Sequence, residues 1–409
     1  MNEESLIEQY PSVEYFGREF LQYSKDKGFE INNNSFQLVV EGDKNILFTN
    51  ATVTPYLDNI ERMLQSEHMS TELRIALVQR CLRVGGKAGT LESTLRDPNY
   101  SSLFTMAGYV FTGTYNEASR LFLETLTEPF RLPRDRIRMV VPESDLFIES
   151  LLDSGFDLSE LFIVRGTDSE YWTDWTFGRY RKLKGTGITA IVLDDPSLLV
   201  MDAIKFGRYI EIGNLINIMS TDEANKSSPI FDIGIGLSRI QIVSTGKPLY
   251  ELSPLSAYMD LLKEYNIYPE NENVLRFIVD HVRIIKALVK EGLYPGKNRH
   301  EYVLRKVIRN LFNTLFVGLN TTEFPQKLLS EVFSVTEGDD VEASDDIVSV
   351  LDIEYRLYVK SIRNAIIRIG KAKKGGIENG EIDIDYKYYV QTYGLPNDPR
   401  VINLFLKET

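Results

Sequence analysis

The chain has 409 residues, long enough for two or three domains and a sizeable core, which excludes a peptide-sized or disordered protein. Hydrophobic residues make up 43%, charged residues 26% and aromatics 11%, an ordinary globular balance. With 46 Lys and Arg against 59 Asp and Glu, the net charge of −13 argues against a generic polyanion binder but leaves room for local basic faces. The one cysteine, Cys81, excludes an internal disulfide framework, and with only three histidines no metal site is expected. An acidic start and the lack of any apolar window of roughly 18 residues lead us to expect a soluble, cytoplasmic protein with no membrane partner.

Along the first half, short β-branched or aromatic runs alternate with helical patterns: Phe36–Val40, Ile46–Phe48, Met139–Val141, Leu161–Val164, Ile188–Leu193, Tyr209–Met219 and Ile230–Ile235. They predict a mixed sheet with helices. Past residue 255 the period changes. Leu275, Ile278, Val282, Ile285 and Val289 recur at helical spacing, as do Val303, Leu304, Val307, Ile308, Leu311, Phe312, Leu315 and Phe316. The expected organisation is therefore an α+β domain over 1–250 followed by an all-helical domain over 251–409. Glu337–Asp346 reads as an acidic loop and Lys371–Gly380 as a second loose connection.

Two helical segments invert the global charge. Arg276–Arg309 holds nine Lys/Arg against three Asp/Glu, and Arg356–Lys374 holds seven against none. They carry +13 and the remaining chain −26. Such segments either face a phosphate backbone or are the solvated sides of amphipathic helices; charge alone does not choose.

Singly, the glycine-containing stretches are weak signals. Arg83–Lys87 (RVGGK) lacks the glycine spacing of a phosphate-wrapping loop, and Gly234-Ile-Gly236-Leu-Ser-Arg239 is not a dinucleotide fingerprint. Their order is more informative: ILFTNA at 46–51, QRCLRVGGK at 79–87 with Leu91-Glu92, Arg96, then Phe104-Thr-Met-Ala-Gly108, Tyr209-Ile-Glu-Ile-Gly-Asn214 and Asp232-Ile-Gly-Ile-Gly-Leu-Ser-Arg239. This series resembles the catalytic domain of alanyl-tRNA synthetase, a class II aminoacyl-tRNA synthetase. The resemblance continues through LRFIVDHVRIIKALVKEGLYP and EYVLRKVIRN, similar to the family's tRNA-recognition helices, to Thr392-Tyr-Gly-Leu-Pro396. Relative to a full-length member, it implies a shortened paralogue without the editing and C-terminal domains.

The resemblance implies a class II antiparallel sheet, ATP and Mg²⁺ as cofactors, an amino acid substrate and a tRNA acceptor. It assigns Arg96 to the α-phosphate and substrate carboxylate and Arg239 to the γ-phosphate, where a planar guanidinium meets phosphate oxygens bidentately. Asp232 corresponds to the aspartate that receives the substrate ammonium. Gly234 and Gly236 would let backbone approach the nucleotide, with Glu211 and Asn214 on the neighbouring strand and Trp172 lining the substrate side.

Departures accompany these matches. Thr105 stands where the family has an adenine-reading glutamate, and Ala190 where it has the glutamate of a GPCGPCSE loop. That loop is replaced by a stretch gaining Arg179, Arg181, Lys182 and Lys184, which reads as a phosphate contact or a solvated hairpin tip. The family's Glu-Ile-Trp-Asn is Glu-Ile-Gly-Asn here, so Gly213 replaces an indole, and Asn217 and Met219 replace Phe and Gln. An enlarged pocket and a substrate other than alanine are expected, unless neighbours repack into the space. Lys297 and Gln391 occupy the positions that read the acceptor-stem wobble pair, so tRNA contact is expected from Lys297, Arg299, Arg305 and Gln391 under a different rule. Transfer to a carrier protein or small molecule, and a non-catalytic tRNA- or nucleotide-binding paralogue, are the alternatives.

Overall fold

The computed structural model describes residues 11–33, 37–40, 46–65, 72–85, 91–166, 171–173, 175–177, 182–221, 229–336, 344–372, 377–378, 381–382, 390 and 395–407. The chain divides into two compact units: 1–83 with 103–249, and 84–102 with 250–409.

The first unit is a nine-stranded sheet. Its strands are β1 (Glu30–Asn32), β2 (Arg74–Leu82), β3 (Leu103–Thr112), β4 (Ile137–Pro142), β5 (Leu161–Val164), β6 (Trp175–Phe177), β7 (Leu183–Leu193), β8 (Tyr209–Ser220) and β9 (Ile230–Gly236). They lie in the order β1-β2-β3-β9-β8-β7-β4-β5, with β6 paired to β7. The centre is antiparallel throughout; only the edge pairs β1–β2 and β4–β5 are parallel. Five of the seven expected strand runs lie within β4, β5, β7, β8 and β9. Among their described residues the runs at 36–40 and 46–48 pair through an isolated bridge, Val39 to Phe48, with residue 36 outside the described residues, while the central strands β2 and β3 carried no expectation.

Period-two alternation separates the two faces of the sheet. On β9, Phe231, Ile233 and Ile235 turn to the side covered by helices α1 (Val13–Asp26), α3 (Tyr115–Thr127), α4 (Asp145–Asp153) and α6 (Leu237–Thr245), where Phe20, Phe122, Phe147 and Ile240 are fully buried. Asp232, Gly234 and Gly236 take the other face. Helix α2 (Leu57–Gln65) packs there, with Leu57, Ile60 and Leu64 against Val110, Ile216 and Ile218. On β7, α5 (Val200–Phe206) covers Ile191 and Leu193 through Val200 and Ala203.

The second unit is built on α8 (Glu272–Lys290), in which 14 of 19 residues are buried. Against it pack α7 (Leu255–Glu264), α9 (Arg299–Leu319) and α10 (Gln326–Ser334), and on α9 pack α11 (Ser344–Ala372) and α12 (Pro399–Lys407). The connection 84–102 between β2 and β3 belongs to this unit. Asp280 of α8 accepts the Ser102 amide at 2.8 Å and the Ser101 hydroxyl at 3.0 Å, and Arg283 donates to Ser101 Oγ at 2.9 Å. Among the described residues no helix is long and apolar enough to cross a membrane.

Candidate functional site

The helix-poor face of the sheet centre carries the polar residues. Ideal alternation would put Glu211 and Asn214, three apart on β8, on opposite faces. A bulge intervenes: Ala190 pairs with Gly213 and Ile191 with Glu211, leaving Ile212 as the extra residue, so both side chains share one face. There the Asn214 amide donates to Glu211 Oε1 at 3.3 Å and accepts from the Thr189 hydroxyl at 2.6 Å. Arg239, in the first turn of α6, donates to the Glu211 carbonyl at 3.0 Å, and its guanidinium lies 3.3 Å from the Glu211 carboxylate. Gly236 is the N-cap of that helix and provides no side-chain cap for its first amides.

Asp232 lies between Val110 and Ile216 on the flanking strands and is 5% exposed. Burial pushes its carboxyl up to about 7, with Thr52 the neighbour that favours the charged form. Asp232 Oδ1 and Thr52 Oγ1 are nevertheless both buried without a partner at full hydrogen-bonding geometry. Thr52 reaches the sheet because residue 108 is glycine: a β-carbon there would fall on the Thr52 hydroxyl and the Ile233 carbonyl. Beside it the Met106 methyl covers Gly234, 2.7 Å from where a β-carbon would stand. Trp172 rests on Gly185 and Ile216, stacks on Trp175 with 4.3 Å between ring centroids, and accepts the Gly187 amide at 2.8 Å through its carbonyl. Asp232, Gly234, Asn214, Glu211, Arg239 and Trp172 therefore belong to one face of one unit.

Several expectations change. Gly213 does not open a pocket: a β-carbon at 213 would fall on the Gly234 carbonyl, since the bulge brings the β8 and β9 backbones together there. Asn217 points away from the site and donates to Tyr115 of α3 at 2.6 Å. Ala190 is fully buried in the helix-side core, so the residue facing Asn214 is Thr189. Arg96 is exposed in the second unit, one residue past the short turn Leu91–Leu95. The sheet unit has an arginine that sequence reasoning quoted without a role, Arg83, directly after β2. Its Nε donates to the Asn50 carbonyl at 3.1 Å, and its guanidinium lies 4.9 Å from the Phe104 ring and 4.0 Å from Met106 Sδ. The available signal was its place immediately after the strand-forming run RIALVQRCL.

In the second unit, Lys297 and Arg299 are exposed at the start of α9. Arg305 is not a free surface cation. It lies 3.5 Å from Glu354 of α11, a side chain only 1% exposed that Arg309 also meets at 2.8 Å. Neighbouring cations are likewise held internally: Arg276 donates to Asn273 and Lys286 to the Val335 carbonyl. Gln391, Arg179 and Arg181 lie outside the described residues, whereas Lys182 immediately precedes the long strand β7 and Lys184 is its second residue. Among the described residues no group of three or more His, Cys, Asp or Glu is arranged to hold a metal.

The family model for class II tRNA synthetases (A) matches residues 16–408. The chain belongs to this family as an alanyl-tRNA-synthetase-type class II member. Alanine–tRNA ligase of Roseiflexus sp. (strain RS-1) is 25% identical over 93% of this chain and 44% of its own length. The alanine–tRNA ligases of Buchnera aphidicola and Nitratidesulfovibrio vulgaris are each 26% identical, over 93% of this chain and 45% of theirs. The chain thus spans less than half the length of these relatives.

Proposed function

We propose that this chain activates an amino acid with ATP and passes the aminoacyl group to a tRNA. The observation that carries the reading is Asp232, a buried carboxylate without a full partner on the polar face of the sheet, matched to a substrate ammonium. Pairing with that ammonium would compensate the burial and orient the substrate carboxylate toward the nucleotide. A carboxylate oxygen then bonds to the α-phosphorus, the bond from the α-phosphorus to its bridging oxygen breaks, and pyrophosphate leaves. Arg239 and Arg83 are the sheet unit's cations for the phosphate charge, Arg83 taking the part expected of Arg96. Glu211, partly exposed beside Arg239, is the carboxylate that would reach Mg²⁺. A single such ligand suits a metal that keeps phosphate oxygens and water for its other positions. When bound, the ion would offset the charge of the phosphates.

The test is amino-acid-dependent exchange of pyrophosphate into ATP, across a panel of amino acids. Arg239→Ala or Arg83→Ala is expected to cost about 2–4 kcal/mol of transition-state stabilisation, as loss of a preorganised charge donor does. ATP binding with no exchange for any amino acid would establish instead a non-catalytic nucleotide- or tRNA-binding protein, the reading that Thr105 favours. Exchange without charging of any tRNA would move the acceptor to a carrier protein or small molecule.

A further inference from the structure

A second carboxylate on the same side of the sheet has no part in that chemistry. Glu61 lies on α2 and is 5% exposed, yet its Oε1 is buried without a hydrogen-bond partner, and no ion pair is made to it among the described residues. Leu57 and Leu64, one turn to either side on the same helical face, belong to the apolar cluster that contains Val110 and Ile216, the residues flanking Asp232. Trp172 and Phe177 pack against that cluster as well. An unpaired carboxylate in such surroundings is costly, and a cation is the partner that relieves it.

We propose that Glu61 and Asp232 together form a two-carboxylate pocket, and that the amino acid taken there is a diamino acid whose side-chain ammonium pairs with Glu61. This rests on the reading of Asp232 as the anchor of the α-ammonium. It assigns Glu61 as a specificity-determining residue and makes the substrate a short cationic amino acid.

The test is calorimetric titration of the intact chain with diaminopropionate, diaminobutyrate, ornithine and lysine, set against alanine and serine, in parallel with pyrophosphate exchange. At least one diamino acid is expected to bind more tightly than either neutral amino acid. Glu61→Gln is expected to weaken that binding by about tenfold or more while leaving alanine unchanged, because only the charged partner is lost. Glu61→Met serves as a second variant of similar length, and thermal unfolding of both variants checks that the fold is kept. Alanine binding at least as tightly as every diamino acid overturns the proposal, as does a diamino-to-neutral ratio that Glu61→Gln leaves unchanged. Glu61-dependent diamino acid binding without exchange would overturn the activation reading and leave the pocket standing. Exchange with neutral amino acids alone would do the reverse.

Discussion

Asp232 shows what one buried carboxyl does to stability and, on the proposed reading, to binding. Its folded pKa, about 7, stands above the ordinary value of 3.8, so the folded chain holds a proton there that the unfolded chain has released. The associated stability is present in full below the unfolded value and is lost as pH rises through the folded one. Asp232→Asn is therefore expected to raise the melting temperature at about pH 8 and to change it little at about pH 4, the difference corresponding to roughly 2–4 kcal/mol. On the proposed reading, ammonium binding runs the opposite way, since only the ionised carboxylate pairs with it. Amino acid affinity should climb as pH rises toward 7 and level off above, and Asp232→Asn should abolish it; calorimetry across that range checks both.

At the scale of the strand, the bulge in β8 decides which side chains meet. Gly213→Ala places a methyl on the Gly234 carbonyl, so β8 and β9 must separate or the bulge must shift. The expected result is a loss of about 1–3 kcal/mol in stability, read from denaturant unfolding, with a larger fall in exchange activity as Glu211 and Asn214 lose their shared face. For the helices, the telling pair is α9 with α11. Glu354→Ala leaves Arg305 and Arg309 facing an apolar seam and is expected to destabilise the chain by about 3–5 kcal/mol. Arg305→Ala should register in the same unfolding assay, because its cation serves the packing of two helices.

Over the whole molecule, the charge inversion of the helical half resolves into two populations. The cations of α8 and the middle of α9 are largely held by Asn273, Ser101, Val335 and Glu354, whereas Arg356, Lys360 and Arg363 on α11 are exposed at helical spacing and line one open cleft with Tyr355 and Asn364, Arg356 pairing there with Asp352 one turn earlier at 2.6 Å. With a net charge of −13, binding to tRNA requires such clustering. Lys360→Ala with Arg363→Ala is expected to weaken binding of every tRNA alike and to lower the slope of log affinity against log salt by about one to two. Lys297→Ala should act in the same direction with folding unchanged, as filter binding over a salt series would show.

The helical second half and most of the sheet could be read from the chain because period and composition are local properties: the heptad-like run of α9 and the alternation of β9 are written in consecutive residues. The order of motifs likewise exposed the family and placed Asp232 on a strand beside the one that carries Glu211 and Asn214, with Arg239 just beyond it. Tertiary structure alone decided the rest. The bulge at Ile212 depends on pairing between β7 and β8, so no periodicity in one strand shows that Glu211 and Asn214 share a face, or that Gly213 meets backbone and opens no cavity. Whether an arginine is a ligand for phosphate or the partner of a buried glutamate depends on residues about 45 positions away, as with Arg309 and Glu354. That Glu61 Oε1 has no partner among the described residues is equally invisible in sequence, because a missing partner is a property of the packed surroundings and not of the residue.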